Sequence, residues 1–158
     1  MVKCAIYLRV SSREQTVENQ LPQLLEFAQS RGYEVGEVYE ENESAWRGGH
    51  QKELGRFLDN LRSGRHKYDI LLVWALDRLT REGIAVILGL VNSLRVYGCK
   101  VVSAQESWTE TSGPAAELLY SVTAWVAKFE SDRRSERVRA GQARARKQGK
   151  KLGRPAGA

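Results

Sequence analysis

The sequence predicts an α/β fold: a small, mainly parallel sheet with helices on both faces, followed by a long C-terminal helix. Three observations predict it. Short β-prone runs alternate with segments of helical periodicity. The run Ile70–Trp74 is continuously apolar, as a strand covered on both faces is, and Lys100–Ala104 repeats that pattern more weakly. The last periodic segment begins at Pro114, suited to a first helical turn, and meets no breaker before Gly141. At 158 residues, 42% of them hydrophobic, the chain has material for one compact domain and a tail.

Taken in order, Lys3–Val10 is a strand ended by the polar cluster Ser11 to Gln15. Val17, Leu21, Leu24, Leu25 and Ala28 then recur at helical spacing, and Arg31 with Gly32 supplies the helix C-terminus. Tyr33–Tyr39 alternates as a second strand, and Glu40 to Gln51 is a polar loop carrying an exposed Trp46 and Arg47. A short helix surrounds Leu54, Phe57, Leu58 and Leu61. Between the third and fourth strands, Ile84, Ile87, Leu88, Val91 and Leu94 line one face of a further helix. The final helix, extended to Arg146, would be a rod roughly 45 Å long at 1.5 Å per residue. Its first half carries Leu118, Leu119, Val122, Trp125, Val126 and Phe129 on one broad face. That stripe suits a dimer interface formed by Leu118, Val122, Trp125, Val126 and Phe129, although a core helix has the same spacing.

Charge divides the chain more sharply than hydropathy does. Residues 133–154 hold ten Lys or Arg against the single acid Glu136, a net of +9 in a chain whose total is +6. A slightly acidic body with a strongly basic end is the pattern of a folded domain bearing a polyanion-binding arm, the alternative being a solubilising tail. The arm comprises Arg133, Arg134, Arg137, Arg139, Arg144, Arg146, Lys147, Lys150, Lys151 and Arg154. The expected division is a domain over 1–132 and a DNA-contacting arm over 133–158. Cys4 and Cys99 each sit in an apolar run with no partner at metal-ligand or redox spacing, which points to a reducing cytoplasm and buried roles for both. No window approaches ~18 unbroken apolar residues, so no membrane span is expected.

Three clusters carry chemistry. Tyr7, Arg9 and Ser11, with Gln15 and Gln20, stand at the end of the first strand; Asp77, Arg78 and Arg81 follow the third; Glu130 lies on the long helix. Sites in open α/β sheets form beyond the carboxyl ends of strands, so the first two clusters share a rim. A Ser-Ser pair after a strand is ordinarily a capping turn, and an Asp-Arg step ordinarily a surface ion pair. The convergence of three arginines is less ordinary, because planar guanidinium forks match phosphate oxygens two bonds at a time. His50 and His66 lie in separate polar loops, the carboxylates have no ligand spacing, and no GxxxxGK[ST] loop is present, so neither metal nor nucleotide cofactor is expected. A serine attacking phosphorus beside arginines is the most economical chemistry.

The wording of these clusters resembles the serine recombinase family, the resolvases and DNA invertases. YLRVSSREQTVENQ is similar to that family's Tyr-x-Arg-Val-Ser signature, and VWALDRLTRE to its Asp-Arg-Leu-x-Arg signature. The resemblance continues through VVSAQESWTETSG, AKFESDRRSERVRAG and ARKQGKKLGRP, in order along nearly the whole chain. It implies a nucleophile at Ser11, which sequence chemistry alone does not separate from Ser12. It places Arg9, Arg78 and Arg81 around the scissile phosphate of double-stranded DNA, with Asp77, Tyr7, Gln15, Gln20 and Glu130 shaping the pocket. It also implies homodimers pairing into a synaptic tetramer, 5′ phosphoserine links, and religation without metal or ATP.

The chain departs from the family pattern at Ser131, where Arg commonly follows the helix glutamate, and at Gln51, where Arg often follows the second-strand loop; Arg47, Arg133 and Arg134 are candidates for the missing charge. The family pattern usually continues past Gly-Arg-Pro into a further DNA-binding region, whereas this sequence stops at Ala158, so a fragment is expected. Two other readings remain: a recombinase fold whose chemistry has lapsed, leaving a DNA-binding or dimerisation module, and a hydrolytic nuclease or phosphatase, which would call for metal ligands or a histidine base.

Overall fold

The computed structural model describes residues 1–10, 17–42, 51–150 and 153. Ser11, Ser12, Gln15, Trp46, Arg47, Lys151 and Arg154 lie outside the described residues. The elements are β1 (Val2–Val10), α1 (Val17–Ser30), β2 (Tyr33–Asn42), α2 (Lys52–Arg62), β3 (Ile70–Val73), α3 (Ile84–Val96), β4 (Lys100–Ser103) and α4 (Pro114–Lys147). Two short 3-10 turns, Leu76–Arg78 and Ser107–Glu110, follow β3 and β4.

The strands lie in the order β2-β1-β3-β4, and every neighbouring pair is parallel. Alternation along the central strands sends side chains to two cores. Ala5 and Tyr7 of β1 join Leu71 and Val73 of β3 against Phe57 of α2 and Val91 and Leu94 of α3. Cys4, Ile6 and Leu8 join Ile70 and Leu72 against Leu24 and Ala28 of α1. Helices therefore cover both faces, which is why β3 reads as unbroken apolar sequence. Both cysteines are fully buried, and burial pushes each thiol up to about 12, so neither is a reactive thiolate near neutral pH.

From β1 the chain winds outward to β2 on one side; it then crosses to β3 and continues to β4 on the other. The strand order reverses between β1 and β3, the point at which open α/β sheets form a crevice at the carboxyl ends of their strands.

The structure corrects the sequence reading in four places. β2 runs to Asn42, past the expected end at Tyr39, because β1 is long enough to pair Leu8, Arg9 and Val10 with Glu40, Glu41 and Asn42. Leu25 is exposed rather than part of the buried stripe of α1. The two 3-10 turns have no periodic signature in so few residues. Finally, α4 runs through Gly141 as the sequence reading had it and ends at Lys147 rather than Arg146, giving 34 residues and a length of about 50 Å. An exposed helix tolerates one glycine at a cost of about 1 kcal/mol, and Arg144, Arg146 and Lys147 in the last turn complement the helix dipole.

Only the start of α4 is tied to the domain. Ala116 is buried, Tyr120 packs edge-on to Trp108 with centroids 5.5 Å apart, and Glu117 pairs with Arg95 of α3 at 2.5 Å. Leu118, Val122, Trp125, Val126 and Phe129 are exposed.

The pairing of β1 with β2 shifts register between Cys4 and Ile6, and Gly36 stands opposite that irregularity. A Cβ at Gly36 would lie 2.8 Å from Cε1 of Tyr68, a ring buried against Phe57. Gly36→Ala is expected to destabilise the fold by about 1–3 kcal/mol through overpacking. A thermal melt checks this: the midpoint falls in the substituted protein and is restored when Tyr68→Leu is added to make room.

Candidate active site

At the carboxyl end of β1 the side chains alternate into two environments. Tyr7 is buried, and its hydroxyl accepts a hydrogen bond of 2.8 Å from Nε2 of Gln51, the residue that precedes α2. Arg9 is only 7% exposed, and its Nη2 donates to the main-chain carbonyl of Asp77 at 3.1 Å. That bond spans the crevice between β1 and the turn after β3, joining residues 68 positions apart. The bond brings Arg9 of the first cluster to Asp77 of the second; Ser11 and Gln15 lie outside the described residues.

The turn bearing Asp77 and Arg78 is held from β4. Glu106 Oε2 accepts from the amide of Leu76 at 3.1 Å and from the hydroxyl of Ser103, which closes a short bond. Ser103 is fully buried, and its hydroxyl also accepts from the amides of Gln105 and Glu106 at 3.3 and 3.2 Å. The main chain adds Ala104 N to Val73 O and Gln105 N to Trp74 O, each 3.0 Å. Ser103, at the end of β4, and the three residues after it thus lock the turn past β3.

Within that turn Asp77 is well exposed, and its carboxylate lies 3.9 Å from Nε of Arg78, a separation at which a solvated pair contributes little. The Nε of Arg78 is itself buried, with no hydrogen-bond partner among the described residues. A donor removed from water and left unsatisfied costs about 1–3 kcal/mol. Arg81 is exposed and, with Asp77, Thr80, Ile84, Glu106 and Trp108, lines a cleft of about 460 Å³.

Gln20 is buried on α1 one turn before Leu24, facing the sheet at the rim end of the helix. Glu130 is placed apart: it lines a separate cleft on α4 with Val126, Phe129, Arg133, Arg134 and Arg137. The described basic residues of the arm, from Arg133 to Lys150, are all exposed.

Three functional contributors went unread in the sequence. Gln51 was noted only as a departure, Glu106 only within a longer string, and Glu41 not at all. Glu41 is buried at the end of β2, where its Oε2 accepts from the amides of Glu53 and Leu54 at 2.9 and 3.2 Å and so caps α2. An acid two residues after Tyr39, on the same alternation as that last apolar side chain, is the sequence signal that could have found it. No group of three metal-ligating side chains occurs among the described residues, and no described helix is long and apolar enough to cross a membrane.

The profile described as Resolvase, N terminal domain, matches residues 4–151, spanning both cationic clusters and all of α4. The chain belongs to the serine recombinases. It is 30% identical over 158 residues to the serine recombinase PinR of Escherichia coli, covering 98% of this chain and 76% of that protein. It is 34% identical over 149 residues to the serine recombinase gin of Escherichia phage Mu, covering 94% and 70%. Among solved structures, a resolvase family site-specific recombinase from Streptococcus pneumoniae superposes with a TM-score of 0.77 at 21% identity, over 93% of this chain and 99% of that one, which shows the fold. As a serine recombinase, the chain is an enzyme of site-specific DNA recombination, the class that breaks and rejoins DNA strands.

The Glu106 brace is open to a direct check. Glu106→Ala leaves Leu76 N and Ser103 Oγ without their shared acceptor, an expected loss of about 1–3 kcal/mol. Hydrogen exchange should show the Leu76 amide losing protection while amides in the centre of β1 keep theirs; unchanged protection at Leu76 would refute the brace.

Proposed function

We propose that Ser11 is the nucleophile of this recombinase and attacks a DNA phosphate in the crevice between β1 and β3. The observation that carries the reading is the Arg9–Asp77 bond, which holds β1 and the Asp77–Arg81 segment together immediately before Val10 and Ser11 in the chain. In the reaction the Ser11 oxygen bonds to phosphorus as the bond to the sugar 3′ oxygen breaks. The serine's proton ends on that departing oxygen, and the 5′ phosphate stays on the protein. One phosphodiester replaces another, so a 3′ hydroxyl can reverse the attack and rejoin the strand without ATP or a metal. Arg9, Arg78 and Arg81 stabilise charge on the non-bridging oxygens, where bonds involving charged groups contribute roughly 1.5–3 kcal/mol each. Asp77, Tyr7, Gln15 and Gln20 shape the pocket, and Glu130 acts from α4.

The same reading divides the chain into a catalytic domain over 1–132 and a DNA-contacting arm over 133–158. Leu118, Val122, Trp125, Val126 and Phe129 form one exposed apolar stripe on α4, with Trp125 and Phe129 stacked at 5.6 Å. A stripe of this kind is supported as a contact between two copies in a homodimer, and two dimers would assemble on paired DNA sites. Beyond it, Arg133, Arg134, Arg137, Arg139, Arg144, Arg146, Lys147 and Lys150 line up along an exposed helix end, with Lys151 and Arg154 following in sequence, to meet phosphates.

A pool of random-sequence duplexes tests the chemistry. The wild-type chain should yield a protease-sensitive DNA adduct whose link maps to Ser11 by mass spectrometry. Ser11→Ala should abolish it and Ser12→Ala retain it; an adduct surviving Ser11→Ala would refute the assignment. The arm is tested by salt. Neutralising Arg144, Arg146 and Lys147 to Gln should make the plot of log affinity against log salt shallower by about 3, from about 0.9 per phosphate contact. An unchanged slope would remove those side chains from the DNA interface.

A further inference from the structure

Gln51 occupies the N-cap position of α2, yet its side chain makes no capping bond. That work is done by Glu41, whose carboxylate takes the amides of Glu53 and Leu54 from the end of β2. The main-chain carbonyl of Gln51 accepts from Gly55 at 3.0 Å, the opening bond of the helix, so the residue's backbone is anchored. Its carboxamide is thereby available for another task. Nε2 reaches the hydroxyl of Tyr7 at 2.8 Å and the carbonyl of Leu79 at 2.6 Å.

The second of these bonds decides the orientation of the amide. The Leu79 carbonyl can only accept, so the NH₂ end of Gln51 must face it. The same nitrogen then gives its other proton to the Tyr7 oxygen. Tyr7 receives a hydrogen bond from Gln51 and directs its own O–H elsewhere, as a donor. Gln51 also links three elements that meet at the crevice: the start of α2, the end of β1 two residues before Arg9, and the segment between Arg78 and Arg81.

We infer that Gln51 is a positioning residue for the recombination site, resting on the proposed chemistry above. It fixes the Tyr7 phenol as an acceptor from Gln51, leaving its own O–H to donate, and holds the Arg78–Arg81 segment at a set distance from β1. A carboxamide does this without adding charge, so the crevice's positive potential is left to the arginines.

The test uses Gln51→Met, which keeps length and volume but removes both donors, alone and combined with Tyr7→Phe. Adduct formation is followed in single turnover at saturating duplex, with duplex affinity measured separately. Gln51→Met should slow adduct formation by roughly tenfold while affinity stays within about twofold, the split expected of an interaction that matters in the reaction rather than in binding. In the Tyr7→Phe background the same substitution should cost less than about threefold, because residues that act through one bond are not additive. Full multiplication of the two effects, or a wild-type rate in Gln51→Met, would overturn the inference. The Tyr7 13Cζ resonance gives a readout free of activity: it should move in Gln51→Met while the other five tyrosines stay in place, and an unmoved Tyr7 would also overturn it. If the wild-type chain forms no adduct, the proposed chemistry fails and the positioning role for recombination fails with it, while the resonance alone still reports whether Gln51 holds Tyr7.

Discussion

The molecule turns on one guanidinium laid across the point where its sheet reverses direction. Arg9 is the penultimate residue of β1, and its Nη2 reaches across to the Asp77 carbonyl. Removing such a charge from water is costly, by several kcal/mol per ion after relaxation. A fold that places it there needs the surrounding geometry to be stiff. The parallel pairing of Cys4–Tyr7 with Ile70–Val73 supplies that stiffness directly beneath it, and apolar cores on both faces prevent β1 and β3 from sliding past one another. A one-residue slip would turn every inward side chain of β1 to the opposite core.

Support for the crevice comes from further out in the same way. β4 does not reach the site, yet Ser103 and Glu106 fasten the turn that does. β2 does not reach it either, yet Glu41 starts α2 and so sets where Gln51 stands. Each outer strand therefore ends in a buried polar group that positions a neighbour's backbone. α4 follows a different logic: after Tyr120 it leaves the domain with its apolar stripe uncovered. This rod of about 50 Å is apolar in its first half and cationic in its second, the pattern on which the proposed dimer contact and DNA arm rest.

How much of this was legible follows from how local each signal is. The helices and strands announced themselves through period and through unbroken apolar runs, because those patterns lie within a few residues. Asp77, Arg78 and Arg81 were legible as a group for the same reason, and the alternation of elements was enough to put them on the rim with Arg9. Gln51, Glu41 and Glu106 were not, since their bonds cross 44, 12 and 30 positions and depend on which strands lie side by side. β2's last three residues were read as loop because Glu40, Glu41 and Asn42 are polar; only their pairing with Leu8, Arg9 and Val10 makes them strand. Glu130 illustrates the opposite limit: its motif was legible, but its place in a cleft of α4 away from Arg9 was not.

Arg78 carries the donor on which the proposed anion binding rests. Its Nε is out of water, and the nearest carboxylate oxygen, on the exposed Asp77, is 3.9 Å away. Asp77 therefore gives partial Coulombic compensation without supplying a hydrogen bond. Under the proposed chemistry a phosphate oxygen would supply that bond and would recover a desolvation cost of about 1–3 kcal/mol already met in folding. Because the donor is already out of water, such a bond would form with little reorganisation. Asp77 is suited to this arrangement because it is close enough to orient the guanidinium and too far to saturate it.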